Sequence, residues 1–101
     1  MAYRKEQLET GIKTGIKKPS MYKVIMHNDD YTTMQFVVEV LTDIFRKPKE
    51  EAMQIMLNIH RKGRGIAGIF PKEIAETKID LVHTRAKERE YPLKCSLERE
   101  D

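Results

Sequence analysis

A small α+β sandwich, with three strands and three helices in the order β-α-α-β-α-β, is the fold class the sequence predicts. Three observations carry it. Short runs rich in β-branched and aromatic residues alternate with stretches whose apolar residues recur at helical spacing. Pro48, Gly63, Pro71 and Pro92 stand at the junctions, where chain breakers belong. The length, 101 residues, suits one small domain. Helices gathered on one side of a three-stranded sheet would bury the apolar faces, and an antiparallel sheet is expected.

Residues 1 to about 19 read as a flexible extension, and residues 20–101 as the single domain. The extension carries Gly11, Gly15, Pro19 and many charges, with no sustained apolar period, so it buries too little to offset ordering. Met21–Met26 reads as the first strand. His27-Asn28-Asp29-Asp30 then forms a turn, because short polar side chains bond nearby backbone. Thr32 to Gln35 fits a capping box with Thr32 at the N-cap, and Tyr31 and Phe36 stand where a hydrophobic staple would close. From Met34 to Phe45, apolar residues at Met34, Val37, Leu41 and Phe45, and at Phe36, Val40 and Ile44, make a wide helical face. Pro48 stops that helix and opens the next, whose first turn holds Glu50 and Glu51. Ala52, Ile55, Met56 and Ile59 face inward on helix two, and Gly63 suits a left-handed cap. Gly65–Phe70 reads as a second strand. Pro71 opens a third helix with Ala75, Ile79, Val82 and Ala86 on one face. Leu93, Cys95 and Leu97 alternate in a last strand.

Bulk properties narrow the function classes. The charge is +3 and the pI near 9.0, with Lys and Arg interleaved among Asp and Glu. That reads as a mixed, solvated surface rather than a nucleic-acid face. No membrane-spanning run or signal-peptide pattern is present, and one cysteine suits a reducing compartment, so a cytoplasmic protein is expected. Asp29 and Asp30 with His60 are residue types for acid/base work or metal ligation, but no nucleophile elbow, Walker-type loop or metal-ligand spacing accompanies them. No enzyme activity, metal or cofactor is expected. Arg61, Lys62 and Arg64 form a basic knot that a helix C-terminus attracts anyway. Asn28 and Asp29 could accept hydrogen bonds from an α-ammonium group, and a neutral imidazole at His60 could do the same. Behind them Met34, Val37, Met56 and Ile59 could wall a hole for one bulky side chain, although such residues also read as plain core.

Met21 to about Leu97 resembles the ClpS family, bacterial adaptors of the Clp protease. The carriers are Tyr22-Lys23-Val24-Ile25, Asn28-Asp29-Asp30-Tyr31-Thr32, Met34, Phe36-Val37-Val38, Met56-Leu57, His60, Gly63, Gly68, Ala75-Glu76-Thr77-Lys78, Pro92-Leu93 and Cys95. The resemblance implies a three-stranded antiparallel sheet packed against three helices. It implies binding of proteins whose first residue is Leu, Phe, Tyr or Trp, and delivery to the ATP-driven unfoldase ClpA of the ClpAP protease. It assigns Asn28, Asp29 and His60, with Asp30 adjoining, to the substrate's α-amino group. It assigns Thr32, Met34, Val37, Met56, Ile59 and Leu93 to the side-chain pocket, with Met34 as a gate against β-branched residues. Glu73 and Lys78 fall where the family docks on its unfoldase, and the N-terminal extension would engage the unfoldase pore. No nucleic acid or membrane partner is implied. One departure is Thr33, where the family has Pro; without its stiffness a looser pocket rim is expected. The competing reading is a ribosomal-stalk-like or RNA-associated structural module, since fold alone does not fix function.

Overall fold

A computed structural model describes residues 19–100; the expected N-terminal extension lies almost wholly outside them. The elements are β1 (Met21–His27), α1 (Met34–Asp43), α2 (Lys49–Lys62), β2 (Arg64–Pro71), α3 (Lys72–Glu88) and β3 (Lys94–Glu100). The order is the expected one. The sheet is antiparallel with strand order β2-β1-β3, so the first strand in sequence is the central one. Val24 pairs with Gly68 and Ile25 with Ile66, so the β1–β2 register slips by one residue at a bulge.

The alternation of β1 sends Tyr22, Val24 and Met26 toward the helices, and Val24 and Met26 are fully buried. Phe36, Val40, Leu41 and Val82 complete the most deeply buried set. Among described residues α3 packs across all three strands, α2 covers β2, and α1 lies on α2. Arg85 of α3 and Arg89, its C-cap, reach Asp43 and Glu39 of α1 at 3.1 and 3.2 Å. These pairs are half exposed, so each contributes at most about 1 kcal/mol. β3 is an edge strand whose residues are mostly charged: Lys94, Glu98, Arg99 and Glu100. The Cys95 backbone N–H donates to Nε2 of His83 on α3 at 3.0 Å.

Three helix ends carry most of the local information. Gly63 closes α2 at φ +88°, a conformation that glycine adopts without penalty. At the end of α3, Tyr91 N–H donates to the Ala86 carbonyl and Glu90 N–H to the Lys87 carbonyl, a Schellman closure. Glu90 takes φ +60° there, although it is not glycine. At the end of α1, the Lys78 ammonium donates to the Ile44 carbonyl at 2.7 Å.

The start of α1 differs from expectation. Thr33, not Thr32, is the N-cap, and its hydroxyl accepts from Phe36 N–H at 3.1 Å. The reason is competition: the Asp29 carboxylate takes both the N–H and the hydroxyl of Thr32. With the cap moved by one residue, the box with Gln35 is lost. The expected staple is absent too. Tyr31 is 76% exposed, while Phe36 is buried and stacks on Tyr91 with ring centroids 4.9 Å apart. Helix α1 also stops at Asp43 rather than Phe45, ahead of a left-handed residue at Arg46.

Candidate functional site

The turn after β1 is built by one carboxylate. Asp29 Oδ1 accepts from the N–H groups of Tyr31 and Thr32 at 2.8 and 2.7 Å, and Oδ2 accepts from the Thr32 hydroxyl at 2.7 Å. Partial burial raises the carboxyl's pKa, but the bonds from Thr32 backbone, Thr32 side chain and Tyr31 backbone outweigh it. The net shift is below the ordinary 3.8. Asp29 therefore stays ionised at neutral pH. The Asn28 N–H donates to the Gly63 carbonyl at 2.9 Å, which ties the turn to the end of α2. That bond extends the β1–β2 ladder beyond the His27–Arg64 pair and holds Asn28 beside the end of the helix bearing His60.

Between these elements lies a hollow of about 240 Å³. Asn28, Asp29, Asp30 and His60 form its polar rim; Thr32, Met34, Val37, Met56 and Ile59 form its wall. Nine of the ten expected ligand-binding residues thus share one cavity. Val37, Met56 and Ile59 are buried, so the wall is continuous with the core, while Met34 stands 45% exposed at the mouth. Among the described residues the side chains of Asn28, Asp30 and His60 have no hydrogen-bond or ion-pair partner, so their polar atoms are available to a ligand. Cavities for drug-sized molecules begin near roughly 300 Å³, so this one is scaled to a single side chain. Its chemistry is that of an acidic, hydrogen-bond-accepting rim above an apolar pit.

Leu93 is the exception. It is buried in the core, 4% exposed, and borders a different cleft together with Tyr31, Tyr91 and Pro92. It directly precedes β3 and belongs to the same core cluster as Val37, Met56 and Ile59, without lining the hollow itself. Thr33 has φ −72°, within the range proline enforces, and its hydroxyl supplies a cap that proline lacks. The two residues expected at the unfoldase interface diverge. Glu73 is exposed on the first turn of α3. Lys78 is committed within the chain, to Ile44 and over the rings of Phe45 and Phe70. In the basic knot, Arg64 is paired with Glu98 at 2.8 Å. No helix among the described residues is long and apolar enough to cross a membrane.

One supporting residue escaped the sequence reading. A Cβ on Gly65 would lie 2.8 Å from Cγ1 of Ile59, so the absence of a side chain there is what lets Ile59 sit against β2 and form the pit wall. The Gly63-Arg64-Gly65 run was the visible signal, and it reads as a turn before it reads as a packing requirement.

Comparison with known proteins agrees with this geometry. Residues 17–96 match the family described as ATP-dependent Clp protease adaptor protein ClpS. The ATP-dependent Clp protease adapter protein ClpS of Shewanella piezotolerans is 54% identical over 93 residues, covering 92% of this chain and 91% of the relative. That of Oleidesulfovibrio alaskensis is 49% identical over 94 residues, covering 93% and 90%. Among solved structures, Agrobacterium tumefaciens ClpS2 bound to L-phenylalaninamide superposes with a TM-score of 0.79 at 36% identity, covering 82% of this chain and 100% of that one. On fold, sequence and family match together, the chain belongs to the ClpS family of adaptor proteins of the ATP-dependent Clp protease.

Proposed function

We propose that the hollow receives the first residue of a substrate protein and that this chain carries such substrates to a Clp unfoldase. The favoured first residues are Leu, Phe, Tyr and Trp, and the unfoldase is ClpA of the ClpAP protease. The α-ammonium group sits among Asn28, Asp29, Asp30 and His60, and the side chain fills the pit of Thr32, Met34, Val37, Met56 and Ile59. No bond of the substrate is made or broken. The observation that carries the reading is the joining of an ionised, acceptor-rich rim to an apolar pit of one side chain's size. The related ClpS2 was solved with L-phenylalaninamide, a molecule with a free α-amino group and one aromatic side chain, which is the same pairing of features. Glu73 contributes to unfoldase docking from the exposed start of α3, with Lys78 shaping that helix from beneath.

Magnitudes suit a carrier. Burying one large apolar side chain contributes about 1.5–3 kcal/mol. Hydrogen bonds to a charged group contribute about 1.5–3 kcal/mol each. Ordering the peptide end takes part of this back. The remainder corresponds to a dissociation constant on the order of micromolar, near −8 kcal/mol. Fluorescence anisotropy with a Phe-initiated peptide and its N-acetylated form tests the reading. Acetylation removes the charge and two donors and should abolish binding. Equal affinity of the two forms would eliminate the proposal.

A further inference from the structure

The Asp29–Thr32 turn is a ridge with a cavity on each side. Asp29, Asp30 and Thr32 face the hollow, while Tyr31, between them, borders a larger and more open cleft of about 790 Å³. That cleft runs between the end of α3 and the start of β3. Its apolar walls are Tyr31, Tyr91 and Pro92. Tyr31 is 76% exposed, so an aromatic surface stands there without cover from the other described residues.

The cleft's charge is opposite to that of the hollow's rim. Lys87 and Lys94 border it, and neither is in an ion pair among the described residues. Glu90 is the one carboxylate there. His83 also borders the cleft, and its Nε2 already accepts the Cys95 N–H, so a neutral ring carries its proton on Nδ1 and adds a donor. Two unpaired ammonium groups beside bare aromatic surface match a segment that is acidic and partly apolar.

We propose that this cleft is a second subsite for the same substrate chain, recognising an acidic side chain a few residues after the first. The inference rests on the reading of the hollow as the seat of the first residue. Continuity supplies the occupant, since the two cavities share the ridge, and a chain leaving one over Tyr31 enters the other. An extended chain advances about 3.3–3.6 Å per residue, so its fourth and fifth residues lie about 10–14 Å beyond the first, and these are the residues proposed to meet Lys87 and Lys94. First-residue identity and downstream charge are thereby read on opposite flanks of one turn.

The test uses three peptides that begin Phe-Ala-Ala and continue with paired Asp, paired Ala or paired Lys. Anisotropy titrations at low salt should rank them Asp, Ala, Lys, with about three- to tenfold between the extremes, the amount that two exposed ion pairs contribute. The ratio should shrink at high salt as the charges are screened. In the Lys87→Glu/Lys94→Glu variant the ranking should reverse. A ranking that is flat in the unaltered protein, or that persists unchanged in the variant, overturns the subsite. The N-acetylated Asp peptide separates the two levels of the argument. If it binds as tightly as the free one, the first-residue reading has failed and the subsite falls with it; if acetylation abolishes binding while charge has no effect, only the subsite has failed.

Discussion

Met34 differs from the other apolar residues around the hollow because half of it faces solvent. Val37, Met56 and Ile59 are held by the core, whereas Met34 opens α1 at the mouth of the cavity. A branched Cβ on an incoming residue would meet it at the entrance, where an extra methyl group costs about 1–3 kcal/mol. Met34→Ala should therefore raise affinity for Val- or Ile-initiated peptides roughly tenfold relative to Leu-initiated ones. An unchanged order of preference in a peptide titration would show that Met34 is not a gate. The rim and pit were legible because their members fall in two short stretches, 28–37 and 56–60, that end and begin neighbouring elements. Gly65 was not legible, since what matters there is an atom that is missing. Leu93, assigned to the pit by resemblance, borders the adjoining cleft, and no local signal says which of the two cavities it meets.

Element ends show where local signals hold and where they compete. Gly63, Pro48 and Pro71 fall at helix boundaries as their backbone restrictions require. The cap of α1 moved by one residue because the Asp29 carboxylate engages the N–H and hydroxyl of Thr32, and the Thr33 hydroxyl accepts from Phe36 N–H instead. The close of α3 is a similar case. Glu90 carries a left-handed conformation in order to turn Tyr91 back onto Phe36. A side chain pays about 1 kcal/mol for that conformation and glycine does not. Glu90→Gly should raise the thermal midpoint by about 4 °C, as read by circular dichroism. A lower midpoint would mean that the Glu90 side chain contributes more than its backbone costs.

At the level of the whole molecule, strand order was the feature the sequence withheld. Antiparallel hairpins can be inferred from turns, but β1 pairs with two strands that are both distant in sequence, and the bulge at Val24–Ile25 leaves no trace in composition. The pH response is also a property of the assembled site. Asp29's carboxyl is depressed in the folded protein, so the unfolded chain takes up the proton first. Its contribution to stability is complete above the ordinary 3.8 and is lost as pH falls through the lower folded value. Urea denaturation across that acid range should show the loss, and Asp29→Asn should flatten it. Peptide binding should weaken at the other end, above about pH 8, where an α-ammonium group deprotonates. An affinity that stays level through that alkaline limb would mean that the ammonium is not read.

The charged Lys, Glu and Arg residues of β3 have a consequence for the proposed role of escorting other proteins toward unfolding. Its cargo offers loosened backbone in search of partners, and a bare apolar edge would be a template for adhesion. Here that border is studded with both signs of charge, and one of its outward amides is already taken by the His83 imidazole. A carrier of the proposed kind is thus guarded against being knitted into its own freight.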